Sequence, residues 1–84
     1  NFPAVELERT GGHRIAVIND NVQKMLGGIL STLANHELNI IDMLNKSRDG
    51  IAYNLIDIEA PATPHLVEEL CAIEGVVSVR CFDG

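Results

Sequence analysis

Three asparagines carry the strongest chemical signal in the chain. Asn19 and Asn21 flank Asp20 at the end of one apolar run, and Asn39 opens another. A carboxamide side chain offers both a donor and an acceptor. A small zwitterion such as an amino acid needs both, close together: acceptors for its ammonium and donors for its carboxylate. A helix expected to start at the Asn19-Asp20-Asn21 cluster adds unpaired backbone N–H groups and a partial positive charge, which favour a carboxylate. The same residues serve equally well as helix caps and turn formers. Spacing by itself leaves both roles open.

Other chemistries find less support. His13, His36 and His65 are scattered over a strand start, a helix end and a helix start, and read as surface histidines with no metal site. Cys71 falls on or beside the apolar side of a helix and Cys81 in a strand. Both read as small core or part-buried residues, not as nucleophiles or ligands. Glu68, Glu69 and Asp42 read as solvated charges. No Ser-His-Asp or Cys-His arrangement occurs, and no Gly-x-Gly-x-x-Gly fingerprint, so the chain is expected to be catalytically inert with no cofactor of its own.

Charge narrows the partners. Twelve acidic residues against six basic ones give a net charge of -6. That argues against nucleic acid and against anionic membrane surfaces. No apolar run approaches the roughly 18–20 residues of a membrane helix, and no signal-peptide pattern opens the chain. Two cysteines are too few for a disulfide scaffold, which suits a reduced, cytoplasmic setting. The opening residue is Asn1, not Met, which reads as a processed start or a piece of a longer protein.

These residues need elements to position them. The 84 residues are 46% hydrophobic, enough for one small domain. His13 to Asn19 is β-branched and apolar and reads as a first strand. Val22, Met25, Leu26, Ile29, Leu30, Leu33 and Ala34 form one helical stripe. The Gly27-Gly28 pair inside it predicts close packing on a neighbouring surface. Leu38 to Lys46 reads as strand two, Asp49-Gly50 as a hairpin turn, and Ile51 to Glu59 as strand three. Thr63-Pro64 reads as an N-cap followed by Pro at the first helical position, and Gly75 ends that helix. Val76 to Phe82 is strand four. The order β-α-β-β-α-β predicts an α+β, ferredoxin-like fold: a four-stranded antiparallel sheet, order 4-1-3-2, with both helices on one face. The uncovered edge of strand two is expected to pair with a second copy.

Several short motifs are then familiar together. Asn1-Phe2-Pro3-x-Val5, Gly11-Gly12-x-Arg14-Ile15, Asn19-x-Asn21, Leu38-Asn39-Ile40, Ile56-Asp57-Ile58-Glu59 and Ile73-x-Gly75-Val76-x-x-Val79-Arg80 resemble the C-terminal regulatory segment of D-3-phosphoglycerate dehydrogenases. That segment is an ACT domain, a module that binds amino acids. The resemblance covers nearly the whole chain. It implies a parent enzyme that oxidises 3-phosphoglycerate with NAD in the first step of serine synthesis. It further implies feedback inhibition by L-serine bound where two ACT domains meet. Residues 1–12 would be a connector from the catalytic part, and 13–84 the regulatory domain. Asn19 and Asn21 would come from one chain and Asn39 from its partner, in a homodimer paired through strand two, with a tetramer open to the full enzyme. Asn19 stands where the family has His, and Gln23-Lys24 where it has Pro-Gly, so Asp20 and Lys24 form a further polar corner. Glu37 replaces the Gly that closes the first helix, so that turn is expected to be strained. Two alternatives accompany this reading: an oligomerisation module without ligand binding, or an ACT domain answering to another amino acid.

Overall fold

A computed structural model describes residues 12–21 and 24–83. The expected connector over 1–12 lies, except for Gly12, outside the described residues, as do Val22 and Gln23. The elements are β1 (His13–Asp20), α1 (Met25–Asn35), β2 (Ile40–Arg48), β3 (Ile51–Ile58), α2 (Pro64–Ala72) and β4 (Val76–Asp83). The strands form one antiparallel sheet in the order β2-β3-β1-β4. This is the expected 4-1-3-2 order read from the other edge.

Strand parity decides where the core forms. Ile15 of β1 lies opposite Ile56 of β3, and His13 opposite Ile58, so these positions share one face. Ile15, Val17, Ile56 and Ile58 pack there against Ile29 and Leu33 of α1 and Leu66 and Leu70 of α2, and all eight are fully buried. Both helices therefore cover one face of the sheet.

Local signals account for most of the boundaries. Asp49 and Gly50 both take positive φ, 53° and 79°, which gives the β2–β3 hairpin a two-residue turn matched to strand twist. The Thr63 hydroxyl accepts the Leu66 N–H at 3.1 Å, and Pro64 takes the first helical position, as the Thr-Pro pair predicts. Gly75 has φ 101°, and a Cβ there would lie 2.8 Å from the Met25 sulfur. Glycine satisfies both demands, and the Gly75 carbonyl holds the Asp20 N–H at 2.8 Å.

Three expectations change. The asparagine cluster does not cap α1. Asn19 and Asp20 finish β1, and the helix starts at Met25 behind Lys24, which offers no side-chain cap. Gly27 and Gly28 make no close approach, because a Cβ on either would meet nothing within 4 Å. Cys71 and Cys81 are both exposed, not core.

The end of α1 bears out the strain expected at Glu37. The Leu38 N–H reaches back to the Leu33 carbonyl at 3.2 Å and the Glu37 N–H to Ala34 at 2.9 Å. That pattern requires a left-handed residue between them, and Glu37 supplies it at φ 58°. A residue with a Cβ is strained there, whereas glycine is not. Glu37→Gly should therefore raise stability by about 1 kcal/mol, or about 4–8 °C in Tm. A thermal melt that does not rise would show that other contacts of Glu37 outweigh its backbone strain.

Candidate functional site

Asn19 is buried, at 2% exposure, on the helix-covered face of the sheet. Its Oδ1 accepts from Asn54 Nδ2 at 2.6 Å, and its Nδ2 donates to the Asp20 carbonyl at 2.9 Å. Asn54 Oδ1 in turn accepts from Asn45 Nδ2. Three carboxamides thus run from β1 through β3 to β2. Buried amides are costly unless hydrogen-bonded. Among the described residues, no buried side-chain nitrogen or oxygen lacks a partner. The ladder fixes the end of β1 and, through the Asp20 carbonyl, the peptide that leads to Asn21.

Asn21 and Asp20 are exposed, as is Lys24 at the start of α1. The Asn21 N–H donates to the Gly50 carbonyl at 2.9 Å. Asn21 is therefore tied to the tip of the β2–β3 hairpin. Asn39 lies at the other end of the sheet, beside the Ile40–Ile58 pair. It is exposed, and its Nδ2 donates to the Glu59 carboxylate at 2.7 Å while its carbonyl accepts the Glu59 N–H at 3.1 Å. Within one chain the structure brings Asn19, Asp20 and Asn21 together and keeps Asn39 away from them.

Sequence reading missed Asn45 and Asn54. The available signal was parity: Asn54 shares the alternation of Ile56 and Ile58 inside an apolar strand. It also missed the pair on the sheet face away from the helices. Arg14 Nε and Nη2 donate to the two Asp57 carboxylate oxygens at 2.6 and 3.0 Å. The hydrogen bond to Asp57 pushes the Arg14 guanidinium above its ordinary range, against the opposing effect of burial. The histidines require a correction too. His36 and His65 are not scattered, and Glu69 is not merely solvated: its Oε2 lies 3.0 Å from His36 Nε2 and 2.9 Å from His65 Nε2.

No protein-family model matches the chain, and no curated protein matches it by sequence. Solved structures do match its fold. The crystal structure of the ACT domain from GTP pyrophosphokinase of Chlorobium tepidum superposes with a TM-score of 0.72 at 20% identity, covering 83% of this chain and 95% of that one. The solution structure of the same domain gives 0.69 at 19% identity, covering 86% and 85%. The solution structure of the C-terminal domain of the MgtC protein from Mycobacterium tuberculosis gives 0.63 at 19% identity, covering 93% and 94%. The chain has the ferredoxin-like fold of ACT domains. No helix among the described residues is long and apolar enough to cross a membrane.

Proposed function

We propose that the chain is a regulatory amino-acid-binding domain. Two copies hold L-serine between them and serve the feedback control of a D-3-phosphoglycerate dehydrogenase that uses NAD in a part outside this chain. The observation that carries the reading is the seat of Asn21 on Gly50. It sets Asn21 near the end of strand β2, where a second copy paired through β2 would reach it.

Strand register supports the pairing. An antiparallel β2–β2 contact centred on Leu44 sets Asp42 opposite the partner's Lys46, and Lys46 opposite the partner's Asp42. Opposite charges facing each other across strands contribute roughly 0.2–1 kcal/mol per pair. The same register carries the partner's Asn39 to Asp49, next to the Gly50 that holds Asn21. Asn21 and the partner's Asn39 then face the ligand, Asn19 forms the floor of the loop, and Asp20 and Lys24 line the corner. A carboxylate near Lys24 gains its charge, and the ammonium finds amide oxygens and Asp20. Since each site needs both chains, serine should tighten the pair, and pairing should favour serine.

Calorimetric titration tests this. L-serine should give a saturable isotherm of one site per chain, and Asn39→Ala should abolish it. An isotherm unchanged by that substitution would remove Asn39 from the site. Pairing without heat from serine would favour the oligomerisation module.

A further inference from the structure

We propose that His36, His65 and Glu69 form a binding site for a divalent transition-metal ion of the zinc type, which clamps the end of α1 to α2. The site is separate from the asparagine loop and does not depend on the serine reading. His36 is the C-cap of α1, and its backbone N–H is held by the Leu33 carbonyl at 3.1 Å. His65 and Glu69 stand four residues apart on α2, on one side of the helix. The imidazole rings lie 5.6 Å apart, inclined at 49°. Both Nε2 atoms already converge on Glu69 Oε2, and the three atoms lie within 4.8 Å of one another.

Ligand distances match. Zinc bonds imidazole nitrogen and carboxylate oxygen at about 2.0–2.2 Å, which spaces tetrahedral ligands roughly 3.4 Å apart. The nitrogen–oxygen separations here need to open by only a few tenths of an ångström. His65 can swing to complete the set, because its side chain is 73% exposed while that of His36 is 18% exposed. Two imidazoles with one carboxylate suit zinc and its transition-metal neighbours, whereas magnesium and calcium prefer all-oxygen shells. Three protein ligands leave a solvent-facing position for water. Because the ligands come from residues 36 and 65–69, bound metal would stabilise the packing of the two helices.

Thermal melting of the purified chain with zinc chloride tests the site. At ten times the dissociation constant, Tm should rise by about 6–11 °C and keep rising with the logarithm of zinc concentration. Magnesium should give no rise. Glu69→Gln and His65→Ala should each remove most of the zinc response while still melting cooperatively without metal; two variants are used so that one poorly folded protein does not decide the matter. Cobalt(II) bound in place of zinc should show visible ligand-field bands without thiolate charge-transfer absorption. Absence of a zinc response in the unmodified chain would overturn the site. So would an equal response in both variants, or a thiolate band pointing to Cys71 or Cys81.

Discussion

Arg14→Ala should cost about 3–5 kcal/mol of stability, lowering Tm by more than about 12 °C. The cause is what the substitution leaves behind. Asp57 has a side chain only 2% exposed, and Arg14 meets it with two parallel hydrogen bonds from the neighbouring strand. Two N–H donors matched to two carboxylate oxygens make a strong, directional pair. Without Arg14, this carboxylate loses two charge-assisted hydrogen bonds while Asp42 still lies directly opposite it on β2. Replacing both partners by apolar residues, as in Arg14→Met with Asp57→Leu, should recover part of the loss, because the two charges are removed together. Urea melts of the single and double variants check this; a double variant as unstable as the single would mean that the pair is worth more than its desolvation. The pair should be insensitive to alkali in the ordinary range. Asp57 raises the Arg14 pKa, so its contribution is full below the arginine's unfolded value and lost only as pH rises through the still higher folded value.

Asn54→Ala should cost about 2–3 kcal/mol, through the middle of the carboxamide ladder. It removes the donor to the buried Asn19 and the acceptor of Asn45 in one step. Leaving a buried acceptor without its donor costs more than the net worth of the bond. Asn45→Ala breaks only one bond of the ladder, leaving the Asn54 Oδ1 without its donor, and should cost less, about 1–2 kcal/mol. Serine affinity should fall with Asn54→Ala although Asn54 touches no ligand in the proposed site, because Asn19 then no longer pins the Asp20 peptide that leads to Asn21. Melting curves measured together with serine titrations separate the two effects. A fully stable Asn54→Ala chain would show that the ladder contributes little.

What could be read ahead of the structure was local. The Asp49-Gly50 turn and the Thr63-Pro64 helix start each rest on two adjacent residues whose backbone preferences are strong. Apolar periodicity then sufficed for the order of elements and, with right-handed crossovers, for the sheet order. What escaped reading depends on register. Asn54 meets Asn19 across 35 positions and Asn45 across nine. Nothing local says which strand neighbours will be amides. The same ladder explains the misplaced helix start: Asn19 makes its bonds across the sheet, so its capping preference is not expressed. Arg14 and Asp57 escaped for a related reason, since each looks like an ordinary strand charge until β1 and β3 are aligned. His36 meets α2 only through helix packing, which the i, i+4 spacing of His65 and Glu69 could hint at but not complete.

The most direct test of the proposed shared site uses two variants mixed in one tube. Asn21→Ala and Asn39→Ala homodimers should each fail to bind serine, for each lacks one half of both sites. After subunit exchange, a mixed pair regains one intact site, built from Asn21 of the Asn39→Ala chain and Asn39 of the Asn21→Ala chain. Titration of the exchanged mixture should therefore recover serine binding at one site per mixed pair. A mixture as silent as its components, while exchange is shown to occur, would contradict a receptor divided between two chains.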